Sequence, residues 1–512
     1  MSMLTMFSEK IMTLPPGVSA SPSLRARSPP AAAAPAPGTY TEGLREERRR
    51  VHHEADVVIV GAGIVGCAAA VAFGKQGRSV VLLERSLKEP DRIVGELLQP
   101  GGVNALRQLG MEDCLEGIDA IPCYGYQVSY HGEPVHIPYP DNLLSDKPGK
   151  KPEGRSFHHG KFISKLRAAA LAAPNVTVVE STVTDLVKNG HTGQVLGVEC
   201  QTKGEKDYYF GAVTLVADGY ASKFRKQYIP AQPAVRSKFW ALELIDADLP
   251  LPNHGHVFLT DAPPVLVYQI GTHETRILID IPDALPSAAP AAGGVKNHLT
   301  SVVLPSLPAS LQPSFARALA AGKFRSMPNS FLPPTTQKTR GLILLGDAAN
   351  MRHPLTGGGM TVALADVVTL TSLLAPAHIP DLEDAESVVA AMSRFHWARK
   401  PHSSVINILA MALYALFAAH NTHLTALKNG CFRYFQLGGA ALSEPAGLLS
   451  GLIRNPATLL WHFFAVAFYA VLCRAKDGPV WRVPWVLGVE SVLIVWTAAV
   501  TIGPYLVGEM RG

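Results

Sequence analysis

The chain has 512 residues, more than one ordinary hydrophobic core accommodates, so two interleaved lobes and a tail are expected. Hydrophobic residues make up 47% and charged residues 17%, an apolar balance that directs attention to membrane segments. The net charge of +5 is dispersed, with no basic stripe interleaved with aromatics, which excludes a nucleic-acid interface; the six cysteines form no Cys-x-x-Cys pair or Cys/His cluster, which excludes a zinc site and leaves reduced structural thiols.

Residues 1–55 are rich in Pro, Ala and Ser and carry the run Arg45-Glu46-Glu47-Arg48-Arg49-Arg50. Such a composition buries too little apolar surface to order itself, and a disordered leader is predicted. Glu9 and Lys10 interrupt any apolar run before Pro15, so the leader is not a secretory signal and the bulk of the chain is expected to face the cytosol.

A first lobe is predicted over 56–229. It opens with a buried strand at 57–60, a glycine-rich turn, an apolar helix at 64–75 and, after Gly77, a second strand at 79–83, which together make a right-handed strand-helix-strand unit. Residues 230–335 read differently. Short strands at 256–260, 265–270 and 276–281 are separated by Pro, Gly and Asp turns, as in an antiparallel sheet forming a second lobe. Over 336–400 a strand at 341–345, a glycine-rich turn and a helix from about residue 361 return the chain to the first lobe.

From 401 to 512 the chain is helical and apolar. Residues 457–473 hold no formal charge over 17 positions, and 483–507 hold only Glu490 over 25, so each is near spanning length. The connection carries Arg474, Lys476 and Arg482 beside Trp481, the flank of a headgroup interface. The apolar stretch 404–419 is shorter and is expected to pack inside the protein. The tail therefore reads as an anchor whose removal leaves the chemistry-bearing motifs, all before residue 361, untouched.

The first such motif is Gly61-Ala62-Gly63-Ile64-Val65-Gly66, placed directly after a strand and opening a helix. Gly61 permits the tight turn, Gly63 lets backbone N–H groups approach a pyrophosphate, and Gly66 lets helix and strand pack closely. Glu84, ending the second strand, is the carboxylate expected for a ribose hydroxyl. A dinucleotide site follows, without a choice between FAD and NAD.

Two later motifs make that choice. Residues 215–225 (LVADGYASKFR) are similar to the Asp-Gly motif of flavoprotein monooxygenases, and Gly346-Asp347-Ala348-Ala349 with Gly357-Gly358-Gly359-Met360 to their Gly-Asp motif. Longer strings, 84–102 (ERSLKEPDRIVGELLQPGG) and 350–361 (NMRHPLTGGGMT), with Ile137-Pro138-Tyr139-Pro140 and Phe157-His158-His159-Gly160, resemble the squalene epoxidases from residue 56 to the C-terminus. The flavin hydroxylases at large have His where Asn350 stands; the epoxidases do not.

That resemblance implies an α/β fold, with an FAD-binding Rossmann-like lobe, an antiparallel-sheet substrate lobe and an apolar helical membrane-attachment region. It assigns Glu84, Arg85, Arg92, Arg167, Val183, Asp347 and Met360 to FAD contacts, with Asp347 on the ribityl chain, and makes Gln99 and Tyr126 a hydrogen-bonded active-site pair. His353 reads as a capping or packing histidine. The implied reaction passes one oxygen atom of O₂ to the terminal 2,3 double bond of squalene, with NADPH electrons delivered to FAD by a separate reductase. The implied location is the endoplasmic reticulum (microsomal) membrane, or lipid droplets, with the lobes facing the cytosol. A hydrocarbon of 30 carbons resides in the bilayer, which gives an otherwise soluble flavin fold a reason to carry an apolar tail. Two rivals are weighed against this reading: a flavin hydroxylase of small polar aromatics, which gains nothing from membrane attachment, and a non-catalytic binder of prenyl groups, which has no need of the second and third flavin motifs.

Overall fold

The computed structural model describes residues 53–141, 151–419 and 421–511. The predicted leader lies outside them except at its end, where the expectation is corrected: the first strand is Glu54–Val60, and Glu54 and Ala55 pair with Phe210 and Gly211 of the strand Glu205–Val216. A partner strand supplies what composition alone did not.

The first sheet has seven strands. Val80–Glu84 lies parallel to Glu54–Val60 on one side and to Val176–Glu180 on the other. Glu205–Val216 pairs parallel with Glu54–Val60 and with Leu342–Leu344, so a strand from late in the chain closes the early sheet. Val195–Thr202 and Thr182–Lys188 extend it antiparallel. The helix Ile64–Lys75 is buried on all sides from Val65 to Gly74, because it lies between this sheet and the helix Gly359–Leu373. That position explains its run of Ala and Gly, which lets three layers approach closely, and its lack of a polar face.

The second sheet also has seven strands, in the order Arg325–Phe331, Ala234–Ile245, Glu274–Pro282, Val265–Gln269, Gly255–Leu259, Gly125–Tyr130 and Glu133–Pro138. It differs from the expectation in two ways. The hairpin of residues 125–138 precedes the predicted second lobe in the chain yet joins its sheet, and Gly125–Tyr130 runs parallel to Gly255–Leu259, so the sheet is not wholly antiparallel. One face packs on the helix Gln312–Ala321 through Leu242, Ile277 and Phe315. Part of the other faces the cavity described below.

The tail packs on the body through the helices Lys400–Phe417, Thr422–Gln436 and Ala440–Leu449, followed by a hairpin of two long apolar helical stretches, Pro456–Asp477 and Val480–Met510. Both stretches are long and apolar enough to cross a membrane. Each buries only one stripe: Leu459, His462, Val466, Ala470 and Cys473 on the first, Ile494, Ala498, Ile502, Tyr505 and Glu509 on the second. The 3- and 4-residue steps put these on one helix face. Trp461, Phe468, Leu472, Val492, Trp496 and Val500 point outward, and an exposed apolar face of this extent marks a membrane or partner surface. Glu490 is not left alone in the apolar stretch, since Arg474 Nε donates to it at 3.1 Å and Arg482 Nη2 at 2.9 Å.

The tail is nevertheless no separable anchor. Val466, Ala467, Ala470, Ile494 and Ala498 share a core with Tyr126, Ile137 and Leu355, and Ile502 and Tyr505 share another with Val405 and Met411. Deleting residues 455–512 would strip both cores. The expectation that the rest of the molecule is indifferent to that loss is corrected, because an apolar helix here has two faces with two different solvents.

Candidate active site

The three glycines of the first motif do different work. Gly61 has φ +102°, and a Cβ there would lie 2.7 Å from the Ala217 carbonyl oxygen. A Cβ on Gly66 would fall 1.8 Å from the Gly61 carbonyl oxygen, so the helix cannot otherwise sit against the turn. At Gly63 an added Cβ meets nothing within 4 Å. Gly63 is the N-cap of the helix Ile64–Lys75, and the open space before it is an anion cradle at a helix N-terminus.

Glu84 and Arg167 brace this turn. Ala62 N–H donates to Glu84 Oε2 at 2.8 Å, Arg167 Nε donates to the Ala62 carbonyl at 3.0 Å, and Arg167 Nη1 donates to the Lys88 carbonyl at 2.9 Å. Arg167 Nη2 lies 3.6 Å from Glu84 Oε2. Arg85 is exposed beside Glu84, and Val183 packs at the edge of the core that contains Val81 and Leu83.

One cavity draws the motifs together. Its walls include Gly63 and Ile64, then Ala217, Gly219 and Tyr220, then Gly346 and Asp347, and finally Gly359 and Met360 at the start of the second long helix; Arg92, Glu96 and Tyr126 complete them. FAD fits this cavity: an open glycine cradle, a second helix N-terminus, and two buried nitrogens on its wall residues without a hydrogen-bond partner, Arg92 Nε and Arg352 Nε. Arg92 also lies over the Tyr220 ring at 5.1 Å.

Gln99 and Tyr126 come from separate elements, the N-cap of the helix Pro100–Gln108 and the second sheet, and meet between the lobes. Gln99 Nε2 donates to the Tyr126 hydroxyl and, at 2.8 Å, to the Thr356 carbonyl. Gln99 Oε1 accepts from the Tyr139 hydroxyl at 2.7 Å. Tyr126 and Tyr139 meet edge to face, with ring centroids 6.0 Å apart. Both tyrosines and Gln99 are buried, and burial pushes the two phenols above their ordinary range, so both are neutral hydroxyls. A Cβ on Gly357, which has φ +60°, would stand 3.2 Å from Gln99 Nε2, so the third motif also shapes the room for the pair.

Tyr139 and Thr356 were not singled out as site residues by the sequence, although both fall in strings that carry the resemblance. Glu96 was missed as well. It is buried on the cavity wall, receives Arg276 Nε and Nη2 at 2.9 Å each, and accepts from Tyr268 at 3.3 Å. Their spacing of 180 residues gave no local signal. His353 caps and packs: Leu355 N–H donates to its Nδ1 at 3.2 Å, its ring stacks on Tyr414 at 3.9 Å, and burial holds it below the usual imidazole range. A second, apolar cavity shares Tyr126 and Leu355 with the first and runs to the tail helices past Leu413, Phe417, Phe435 and Leu449.

The squalene epoxidase family model matches residues 210–487, and a model of FAD-dependent oxidoreductases matches 56–90. A squalene epoxidase of Aspergillus fumigatus is 60% identical over 465 residues, covering 91% of this chain and 95% of its own length. The squalene monooxygenase of Mus musculus is 43% identical over 461 residues, covering 89% and 78%. Solved structures agree on the fold: PqsL of P. aeruginosa has a TM-score of 0.60 at 20% identity over 72% of this chain and 97% of its own, and p-nitrophenol 4-monooxygenase of Pseudomonas putida 0.61 at 18% over 78% and 97%. The flavin-monooxygenase architecture, the paired glycine and aspartate motifs and these full-length similarities converge: the chain belongs to the squalene epoxidase family.

Proposed function

We propose that this protein epoxidises the terminal 2,3 double bond of squalene with FAD and O₂, taking NADPH electrons from a separate reductase. The observation that carries the reading is the Gln99, Tyr126 and Tyr139 cluster, of which Tyr126 lines both the FAD-type cavity and the apolar one. A hydrocarbon entering from the tail side would reach a polar gate and then the redox site.

Bound FAD would supply the activation of O₂ and the transfer of one oxygen atom. The chain's tasks are holding, orienting and drying. Gly63 and the helix behind it would hold the pyrophosphate, Glu84 a ribose hydroxyl, Asp347 the ribityl chain, with Arg85, Arg92, Arg167, Val183 and Met360 as further contacts. The N-terminus of the helix Gly359–Leu373 opens on the cavity and would offer positive potential to the negative charge of a reduced flavin. Gln99 and Tyr126, both neutral, orient the olefin without titrating, and the apolar walls exclude water that would quench the oxidant. Epoxidation removes no proton from the alkene, so no side chain of the site need act as a base.

The outward apolar face of the hairpin would rest in the endoplasmic reticulum membrane or on lipid droplets, opening the apolar cavity towards the bilayer. The test is squalene conversion by purified full-length protein, with visible flavin absorbance recorded and reductase added or withheld. Epoxide formed only when flavin and reductase are both present supports the reading; a flavin-free protein, or no epoxide with both present, refutes it.

A further inference from the structure

The tail helix ends in a buried carboxylate. Glu509, the last residue but one of Ser491–Met510, accepts from Lys400 Nζ at 2.9 Å and from Asn407 Nδ2 at 2.7 Å. Two residues on, the Arg511 carbonyl lies 3.1 Å from His396 Nε2. A carboxylate this deep costs several kcal/mol to desolvate, so it persists only if its partners compensate.

Those partners lead to the flavin-type site. Asn407 Nδ2 donates its other hydrogen to Asn350 Oδ1 at 3.1 Å, and the same oxygen receives Arg352 Nη2 at 2.8 Å and Arg399 Nη2 at 3.1 Å. Asn350 belongs to the Gly-Asp motif: its N–H donates to the Gly346 carbonyl at 3.0 Å and its Nδ2 to the Leu332 carbonyl at 2.8 Å, which ties the turn bearing Asp347 to the exit of the second sheet. Arg352 lines the cavity itself. Three donors converge on one amide oxygen, and the Asn407 amide keeps its orientation because Glu509 takes its second hydrogen. The Glu509 charge also offsets Lys400 beside Arg399 and Arg352.

We propose that Glu509 is a positioning residue for the FAD site: through Asn407 and Asn350 it sets the Asp347 turn, so that seating of the tail helix on the body governs how tightly FAD is held. The inference rests on the reading of the cavity as an FAD site. It gives the tail a second role beside membrane contact, and it accounts for a buried ion pair at the end of an otherwise apolar helix.

The test uses full-length protein in detergent micelles, stripped of flavin and titrated with FAD, with visible circular dichroism of the bound flavin and thermal unfolding recorded alongside. Glu509→Ala removes the acceptor and should weaken FAD binding about tenfold, the worth of one hydrogen bond to a charged group, and should change the flavin dichroism. Glu509→Gln keeps an oxygen for Asn407 and should bind FAD within about twofold of wild type. Lys400→Met with Glu509→Met replaces the ion pair by apolar packing, and should recover thermal stability while FAD binding stays weak. Recovery of FAD affinity together with stability in that double variant would reduce Glu509 to packing and overturn the proposal, as would a folded Glu509→Ala protein with wild-type affinity and dichroism. Wild-type protein that takes up no FAD would instead overturn the underlying reading of the site.

Discussion

Tyr126→Phe isolates the hydroxyl at the junction of the two cavities. In the wild type, Gln99 is held by three hydrogen bonds: from its Nε2 to Tyr126 and Thr356, and to its Oε1 from Tyr139. The variant keeps the ring, the edge-to-face contact with Tyr139 and the bonds to Thr356 and Tyr139, but leaves one buried Gln99 N–H without a partner. Such a group costs about 1–3 kcal/mol, which Gln99 escapes by rotating away from its bonded position behind Tyr126. If about 1–2 kcal/mol of that loss falls on the reacting geometry, turnover drops roughly 5- to 30-fold. FAD binding should be unchanged, because the ring that Tyr126 presents to the cavity wall stays in place and only the hydroxyl bonded to Gln99 is lost. The assay is epoxide formed per bound flavin under saturating reductase. Turnover within about twofold of wild type at equal flavin occupancy would refute the orienting role, and loss of flavin would show that the hydroxyl itself bears on the flavin site.

Three further outcomes are expected. Gly63→Val fills the open space before the helix N-terminus, where an added Cβ meets nothing in the protein within 4 Å, so the chain should fold with wild-type secondary structure by circular dichroism and fail to retain FAD. Burial alone would raise the Asp366 carboxyl, but Arg399 and His402 outweigh it and hold it down at about 2 from 3.8; this stability is present above the unfolded value and is lost as pH falls from about 4 to about 2, on the order of 2 kcal/mol by denaturant titration, and Asp366→Asn should flatten that limb. Replacing Trp461, Phe468 and Trp496 together by Ser removes three side chains exposed by 71%, 58% and 65%, about 5 kcal/mol of apolar transfer, and should move the protein from the membrane pellet to the supernatant with FAD retained.

What the sequence disclosed was local. The unit from 57 to 84 was legible because strand, glycine turn and helix are adjacent, and Gly61 and Gly66 answer to contacts with the backbone at Ala217 and Gly61. The helix Ile64–Lys75 was legible too, since no polar residue interrupts it. What escaped was carried by partners far along the chain. Glu96 and Arg276 are ordinary charged residues until the second sheet folds against the first lobe. Tyr139 sits in a short string between prolines, and only the hairpin from Gly125 to Pro138 brings it to Gln99. The tail misled in a different way: hydropathy detects the face turned to lipid but not the stripe of Ala, Ile and Tyr turned to protein, because both are apolar.

The contact between Glu509 and Asn407 also bears on how the molecule is made. The glycine turn at Gly61, the pair at Gln99 and Tyr126, and the Asp347 turn are all synthesised well before Glu509, yet the strand Leu342–Leu344 is needed to complete the first sheet and Glu509 to complete the network behind Asn350. Contacts of such separation form late, after their loops have closed. A nascent chain would therefore carry every flavin motif while still lacking a finished site, and uptake of FAD would follow seating of the helix that bears Glu509. Biogenesis and cofactor loading then share one slow step, and a variant that destabilises the end of the tail would accumulate as flavin-free protein rather than as an enzyme detached from its membrane.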